Sequence, residues 1–218
     1  MLAHDLREGI DFPDHAGRSI GYRYLASNDD VDTITAMLHE AYAPLAAAGL
    51  RFHASHQDSS VTQKRLAKGE TIVALDDAEI VGIVTLSEAF ATGGTAFYDR
   101  PDVASFGQFA VRPGYQGRGI GSRLMALIEQ RAAEKGVGEP ALDTSESASE
   151  LIAMYRAKGY RFIEYVQWEV TNYRSMKSSF GRSFQAKERS KCRPAVATSH
   201  GGAQMGRSSS LKRPAGGN

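Results

Sequence analysis

Hydrophobic and polar residues alternate with different periods along residues 20–180. The helical period is clearest after residue 119, where Ile120, Leu124 and Ile128 fall on one face of a helix. Short apolar runs rich in β-branched residues separate the helical segments and are typical of strands. This order predicts one α/β domain with a mixed sheet. The predicted strands are 20–26, 71–75, 80–86, 105–111, 141–144, 160–165 and 167–173, and the predicted helices are 31–48, 59–68, 120–135 and 147–158.

Polar residues with capping chemistry mark several predicted boundaries. The start of the first helix is marked by polar residues that supply a cap and a favourable charge for the helix dipole, namely Asn28, Asp29, Asp30 and Asp32. Ser147 and Glu150 have the three-residue spacing of a capping box, which predicts a helix start at Ser147. The polar segment 76–79 separates two apolar runs and predicts an antiparallel hairpin.

The composition narrows the class of protein. The chain has 218 residues, of which 42% are hydrophobic, enough for one packed domain or two small ones. The single cysteine, Cys192, excludes an internal disulfide framework and a cysteine-rich zinc site, so we expect no metal. Neither a signal-peptide pattern nor a run of about 18 apolar residues occurs. We therefore expect a cytoplasmic protein without a membrane partner.

Charge is distributed unevenly along the chain. Residues 181–218 hold eight of the 26 basic residues and one of the 25 acidic residues, which leaves 1–180 with a net charge of −6. This tail lacks Ile, Trp and Tyr and has no regular period, so we predict that it is disordered. It is interpreted either as an arm for nucleic acid or as a solvated extension. Because no aromatic residue follows Phe184, the second interpretation is favoured and nucleic acid is not an expected partner.

A glycine-rich turn joins the strand 105–111 to the helix that follows residue 119. Gly117, Gly119 and Gly121 occupy alternate positions, which permits a tight turn and bares backbone N–H groups on one concave surface. The first turn of the helix adds unpaired N–H groups and the positive end of the helix dipole. The turn therefore predicts an anion site, with a pyrophosphate as the expected ligand. Its spacing differs from the dinucleotide-binding and P-loop patterns.

This turn resembles that of a known family, the GNAT superfamily of acyl-CoA-dependent N-acetyltransferases. The pyrophosphate loop of that family, Q/R-x-x-G-x-G/A, is matched by Gln116-Gly117-Arg118-Gly119-Ile120-Gly121. The preceding segment 109–113 resembles the family's fourth strand. The segment 153–160 is similar to the family's helix-to-strand segment that ends in Tyr-x-x-x-Gly-Phe/Tyr.

The resemblance implies a fold, a domain organisation and a co-substrate. The implied fold is a mixed, mostly antiparallel sheet flanked by about four helices and splayed between the fourth and fifth strands. The implied N-acetyltransferase domain spans 19–180, between an N-terminal extension at 1–18 and the tail at 181–218. Acetyl-CoA is the implied co-substrate, with its pantetheine arm in the splay. The implied coenzyme contacts are the backbones of Phe109 and Val111, and the loop residues Gln116, Gly117, Arg118, Gly119, Ile120, Gly121 and Ser122.

The resemblance also implies direct attack of an amine on the thioester, without a nucleophilic side chain. Tyr155 matches the family's general acid, and the alternative interpretation is a core aromatic residue. Family members often carry a glutamate early in the fourth strand, where this sequence has Ser105. We therefore predict Glu88 as the catalytic base, with His53 and His56 as alternatives.

We expect an enzyme that moves an acetyl group from acetyl-CoA to a primary amine of a small molecule or a peptide. The acidic body favours a cationic acceptor. The alternative function is a non-enzymatic acyl-CoA-binding sensor or regulatory module, which the absence of the strand glutamate supports. A homodimer is compatible with both functions.

Overall fold

Eight strands form one sheet in the described chain, and the strand order is β1-β2-β3-β4-β5-β6-β8-β7. The computed structural model describes residues 6–50, 52–91, 95–166 and 177–181. Strands β5 and β6 pair in parallel, and the other neighbours pair antiparallel. The predicted mixed, mostly antiparallel sheet is confirmed. The strands are β1 Ile10–Pro13, β2 Ser19–Tyr24, β3 Gly69–Asp76, β4 Glu79–Ser87, β5 Val103–Val111, β6 Glu139–Ser145, β7 Arg161–Val166 and β8 Lys177–Gly181.

Four α-helices flank the sheet within the described residues, as expected. Asp30 caps the first of them by accepting hydrogen bonds from the backbone N–H groups of Asp32 and Thr33, which confirms its predicted role. None of these helices is both long enough and apolar enough to cross a membrane. Their bounds are α1 Val31–Ala47, α2 Ser59–Leu66, α3 Ile120–Glu134 and α4 Ser149–Ala157.

The capping box predicted for the last helix is wrong. The cap residue of α4 is Ala148, and no side chain caps this helix end. Ser147 lies instead in the preceding turn, where its backbone N–H donates to Ser145 Oγ at 3.4 Å. Glu150 keeps a favourable place, because its carboxylate lies in the first turn at the positive end of the helix dipole.

The helices bury two separate cores on opposite faces of the sheet. On one face, Leu124 and Ile128 of α3 pack in the same cluster as Leu86 of β4. On the other face, Ile34 of α1 packs in the same cluster as Ile83 of β4. β4 thus contributes side chains to both cores. The hydrophobic pattern of the sequence predicted these helix faces correctly.

The centre of the sheet opens between β5 and β6. Their pairing covers only Val103–Ser105 against Glu139–Ala141, so the rest of β5 has no paired residue in β6. The pairing of β5 with β4 is also irregular, and Gln108 adopts a positive φ of 50° at this β-bulge. The expected splay is confirmed. The family's fourth strand corresponds to β5 here, because β1 precedes the predicted elements.

The strand β1 lies in the segment 1–18, where the sequence pattern predicted no element. It pairs antiparallel with β2 and thereby extends the sheet by one strand. Three other predicted features lie outside the described residues, namely the strand at 167–173, the cysteine at 192 and the basic tail beyond residue 181.

Candidate active site

The glycine-rich turn presents bare backbone at the start of α3. Gly117 and Gly119 have positive φ angles of 74° and 88°, a conformation that glycine adopts without strain. A Cβ atom on Gly114 or Gly117 would meet no atom within 4 Å. Gly119 caps α3 without any side-chain hydrogen bond, and no acidic residue lies in the first turn. The N–H groups and the helix dipole are therefore available to an anion such as a diphosphate.

The β1–β2 turn packs against this glycine-rich turn. The backbone N–H of His15 donates to the carbonyl of Arg118 at 3.0 Å, and the His15 Nδ1 lies 3.2 Å from the carbonyl of Gly117. Asp14 accepts a hydrogen bond from the Arg118 Nε at 2.6 Å. Burial opposes the charge of Asp14, but hydrogen bonds from Arg18, Arg118 and Ala16 lower its pKa overall. These contacts fix the shape of the glycine-rich turn.

The side chains predicted around the coenzyme have different environments. Arg118 pairs with Asp14 and lies 4.8 Å from the ring centroid of Tyr115, so its charge is largely neutralised. The Gln116 Nε2 donates to the carbonyl of Val111 at 3.0 Å. Ile120 is buried in the core. Of the predicted loop residues, the glycines and the backbone of the first helical turn are the groups best suited to hold phosphate.

Ser122, also in the first turn of α3, contacts a cationic side chain that the sequence analysis missed. The Lys158 Nζ, at the end of α4, donates to the Ser122 Oγ at 2.9 Å. The contact joins residues 36 positions apart. It places a positive charge beside the predicted phosphate site, where it adds to the attraction that the positive end of the helix dipole exerts on an anion.

Phe109 lies in the part of β5 that has no paired residue in β6. The Tyr42 hydroxyl donates to the carbonyl of Phe109 at 2.9 Å, which ties α1 to the strand. The Phe109 ring lies against Gly121, since a Cβ on that glycine would be 3.4 Å from the ring. Phe109 thus lies between the opening and the glycine-rich turn.

Tyr155 is a buried residue of α4 beside this opening. Its ring packs edge-on against Tyr160 with a centroid distance of 6.0 Å. Burial strongly raises the pKa of the Tyr155 phenol, and the nearby Tyr42 and Asp143 raise it further. A phenol in this environment stays protonated at neutral pH, as a general acid must before it donates. Tyr155 is therefore a core residue that lies near Tyr42 of α1 and Asp143 of β6.

The predicted base, Glu88, lies at the other end of α3. Its carboxylate forms an ion pair with the Lys135 Nζ at 2.8 Å, just after the last residue of the helix. The glycine-rich turn leads into the first residue of the same helix, and its 15 residues span roughly 22 Å. The structure does not bring Glu88 together with the turn. The alternatives His53 and His56 lie between α1 and α2, with their rings 5.7 Å apart.

A polar cluster missed by the sequence analysis lies on the α1–α2 face of the sheet. The Arg65 Nη1 donates to the Gln57 Oε1 at 2.9 Å, and the Gln57 Nε2 donates to the Gln108 Oε1 at 3.1 Å. The Gln57 Nε2 also lies 2.8 Å from the Thr62 Oγ1. No sequence motif predicts this cluster, because its members come from a loop, a helix and the β5 bulge.

The family model for the acetyltransferase (GNAT) family matches residues 35–160, which include the glycine-rich turn, the splayed strand and Tyr155. The chain belongs to the GNAT family of acetyltransferases. The family model ends at Tyr160, so it also includes the predicted Tyr-x-x-x-Gly-Tyr segment. The resemblance expected from the sequence is confirmed, and the protein is an acetyltransferase of the GNAT type.

Two curated relatives of this GNAT protein come from Bacillus subtilis (strain 168). The S-(2-succino)cysteine N-acetyltransferase is 28% identical over 138 residues, which are 62% of this chain and 81% of the relative. The S-alkylcysteine N-acetyltransferase is 24% identical over 139 residues, which are 62% of this chain and 76% of the relative. Both relatives are named for N-acetylation of a substituted cysteine.

Solved structures show the same GNAT fold. The GNAT domain of S. lividans PAT superposes with a TM-score of 0.60 at 19% identity, over 83% of this chain and 99% of that domain. The PaiA N-acetyltransferase from Thermoplasma acidophilum, solved in complex with coenzyme A, gives a TM-score of 0.55 at 17% identity, over 76% of this chain and 99% of its own. GNAT enzymes use acetyl-CoA, and this fold is one on which a coenzyme A complex has been observed.

Proposed function

We propose that this GNAT protein transfers the acetyl group of acetyl-CoA to the primary amine of a small molecule. The observation that carries the proposal is the combination of an uncapped α3 N-terminus, a bare glycine turn and a strand, β5, that loses its β6 partner after Ser105. A diphosphate fits the first two features. An extended pantetheine arm fits the third, because it can pair with backbone groups as a strand would.

In this proposal the coenzyme lies along the end of β5 and over the turn. The backbones of Phe109 and Val111 bind the pantetheine, and Gln116, Gly117, Arg118, Gly119, Ile120, Gly121 and Ser122 surround the pyrophosphate. Arg118 acts mainly by holding the turn through Asp14, whereas Lys158 adds the unneutralised charge near Ser122. A backbone N–H of β5 faces the thioester oxygen, and such a donor contributes about 3 kcal/mol to transition-state stabilisation in other acyl-transfer enzymes.

The proposed chemistry is direct acyl transfer. The amine nitrogen attacks the thioester carbonyl carbon, the C–N bond forms, the C–S bond breaks, and coenzyme A leaves as a thiolate. The Tyr155 hydroxyl then protonates the thiolate sulfur, and the proton lost by the amine is taken up by a base or by water. Glu88 would have to leave its ion pair with Lys135 to act as that base.

The names of the two bacillary relatives support a small-molecule acceptor. Both act on an amine that belongs to a substituted cysteine, according to their names. We therefore propose that the acceptor of this chain is a compact amine rather than a folded protein.

The proposal is tested by measuring thiol release from acetyl-CoA across a panel of small primary amines, with mass spectrometry of the acetylated products. The expected result is an amide product formed in equal amount to the released thiol. A thermal shift with coenzyme A provides an independent measure of binding. Coenzyme binding without transfer to any amine would favour the acyl-CoA sensor, and the absence of both would contradict the proposed function.

A further inference from the structure

Arg65 of α2 is half buried, and it has no ion-pair partner among the described residues. Its Nη1 donates to a neutral amide, the Gln57 Oε1, at 2.9 Å. Its Nη2 lies 3.7 Å from the position of a Cβ on Gly107, so the guanidinium faces β5 at a point where the strand has no side chain. Burial lowers the pKa of Arg65. A half-buried guanidinium without an anion is costly to keep, and such groups are usually paired.

One donor of this cluster, the Gln108 Nε2, is left without an acceptor. Gln57 accepts from Arg65 through its Oε1, so its Nε2 points to Thr62 and to the Gln108 Oε1. The orientation of the Gln108 amide is thereby fixed, since turning it over would place two N–H₂ groups face to face. The Gln108 Nε2 then has no hydrogen-bond partner, although the residue is only 3% exposed. A buried donor without an acceptor is costly, so an acceptor supplied by a bound ligand would stabilise it.

The backbone at Gln108 shows that this position is held under strain. Gln108 has a φ of 50°, which is uncommon for a residue other than glycine or asparagine. It lies where the register between β4 and β5 shifts by one residue. Strained non-glycine residues at bulges are concentrated at functional sites. They persist only where the surrounding structure holds the backbone in that conformation. The bulge turns the Gln108 side chain toward Gln57 and Arg65.

A negative charge faces this cluster from across the opening. Asp143 is an exposed residue of β6, two residues after Ala141, and Ala141 packs with Val103 of β5. Alternation along the strand puts Asp143 on the same face of the sheet as Ala141. The charge of Asp143 acts on Arg65 and on both Tyr42 and Tyr155, so these groups lie near one another.

Resting on the proposed acetyl transfer, we propose that the acceptor is an α-amino acid, whose carboxylate is bound by the Arg65 guanidinium and the Gln108 amide while its amino group lies toward Asp143. The Arg65 guanidinium and the Gln108 Nε2 supply two donors for a carboxylate, and Asp143 attracts the ammonium group. A zwitterion therefore matches the site better than the polyamine-like cation expected from the net charge of the body. Tyr155 also lies near Asp143, and in the proposed reaction it protonates the departing thiolate.

The experiment compares amino acids with the amines that lack only the carboxylate. The acceptor pairs are S-methyl-L-cysteine with 2-(methylthio)ethylamine, and S-benzyl-L-cysteine with 2-(benzylthio)ethylamine. For each acceptor, kcat/KM is measured in the wild type and in Arg65→Gln at saturating acetyl-CoA. The preference is the ratio of kcat/KM for the amino acid to kcat/KM for its decarboxylated partner. Because this ratio is compared between the two proteins, the different basicities of the amines cancel.

We expect Arg65→Gln to lower kcat/KM for the amino acids by about 100-fold and to change that for the decarboxylated amines by less than about threefold. The KM for acetyl-CoA is expected to stay within about twofold. Gln108→Met, which removes the donor but keeps the length of the side chain, is expected to raise the acceptor KM about tenfold. The matched control is Lys64→Gln, which removes a positive charge from an exposed residue of the same helix and is expected to alter neither preference.

Several results would overturn the inference. One is an equal loss of kcat/KM for both members of a pair in Arg65→Gln with acceptor binding unchanged, which would show a structural role. Another is a rise in the KM for acetyl-CoA alone, which would assign these donors to the coenzyme. Transfer to the decarboxylated amines but not to the amino acids would overturn the inference and leave the proposed function intact. Loss of coenzyme binding and of all transfer in the wild type would overturn both.

Discussion

The imidazole of His15 lies directly against Gly119. A Cβ atom on Gly119 would be 2.5 Å from the His15 Nε2, although the two residues are 104 positions apart in the sequence. The β1–β2 turn therefore packs against the glycine-rich turn at the residue that caps α3. Since the His15 Nδ1 also contacts the carbonyl of Gly117, the histidine bridges the two glycines that have positive φ in this turn.

Gly119→Ala tests this contact against Gly117→Ala. Both substitutions place a side chain at positive φ, which costs about 1 kcal/mol of folding free energy. Only Gly119→Ala must also displace the His15 imidazole, which then loses its contact with the Gly117 carbonyl. This loss is expected to lower the free energy of unfolding by about 1 kcal/mol more. Urea denaturation of both variants, alone and combined with His15→Ala, measures the difference. If the extra loss at Gly119 persists without the imidazole, the contact does not cause it.

Tyr155→Phe is expected to lower kcat by at least 100-fold while the KM for acetyl-CoA stays within about twofold. The substitution keeps the buried ring and removes only the acidic O–H, and a general acid contributes this much. Tyr160→Phe is the matched control, because it removes the hydroxyl that donates to the Glu129 Oε1 at 2.7 Å from a ring in the same cluster. Steady-state thiol release measures both. Equal kcat values in wild type and Tyr155→Phe would make Tyr155 a core residue alone.

Glu70 is expected to make stability depend on acid pH. Hydrogen bonds from Arg131 and Lys135 lower its pKa to about 2 in the folded state, from an ordinary value of 4.5. A lowered pKa in the folded state gives stability that is present above pH 4.5 and is lost as the pH falls toward 2. Thermal unfolding between pH 6 and pH 2.5 should therefore show a smaller loss of Tm in Glu70→Gln than in the wild type.

The control for that measurement is Glu146→Gln, at an exposed carboxyl in the turn before α4. Its acid profile should match that of the wild type. A wild-type slope preserved in Glu70→Gln would mean that other carboxylates account for the acid sensitivity.

Gly69→Ala is expected to be strongly destabilising. A Cβ on Gly69 would lie 1.8 Å from the backbone carbonyl oxygen of Leu86, and a backbone atom in the middle of the sheet cannot move aside. We expect a loss of about 3 kcal/mol in the free energy of unfolding. Gly114→Ala provides the comparison, since its Cβ would meet no atom within 4 Å, and its stability should stay within about 0.5 kcal/mol of the wild type. Similar values for the two variants would contradict the predicted clash.

Local sequence patterns predicted most of the fold. Apolar periodicity placed the faces of α1 and α3 because those residues are selected for burial, and Asp30 identified a helix start because its capping bonds are local. The strand β1 was missed, since four residues with alternate exposure carry too little pattern to distinguish them from a loop. Ser147 misled the prediction of α4, because a capping spacing occurs in turns as well as at helix starts.

Part of the candidate site could also be predicted from the sequence, and part could not. The glycine-rich turn is contiguous, so its chemistry can be recognised from sequence. The cluster of Gln57, Arg65 and Gln108 is assembled from separate elements, and its significance depends on which amide oxygen each N–H group reaches. Sequence reasoning had no access to that geometry. It also had no access to the pairing of Glu88 with Lys135, which depends on where β4 ends relative to α3.

The short contact of β5 with β6 has a consequence for rigidity. Three residue pairs join the two strands in the described chain, so the C-terminal part of the sheet is attached to the N-terminal part by few backbone hydrogen bonds. A pantetheine arm that enters this wedge would act as a guest strand and complete the ladder. Amide protons of β5 beyond Ser105 would then exchange more slowly with solvent when coenzyme is bound, and coenzyme occupancy would stiffen the whole sheet.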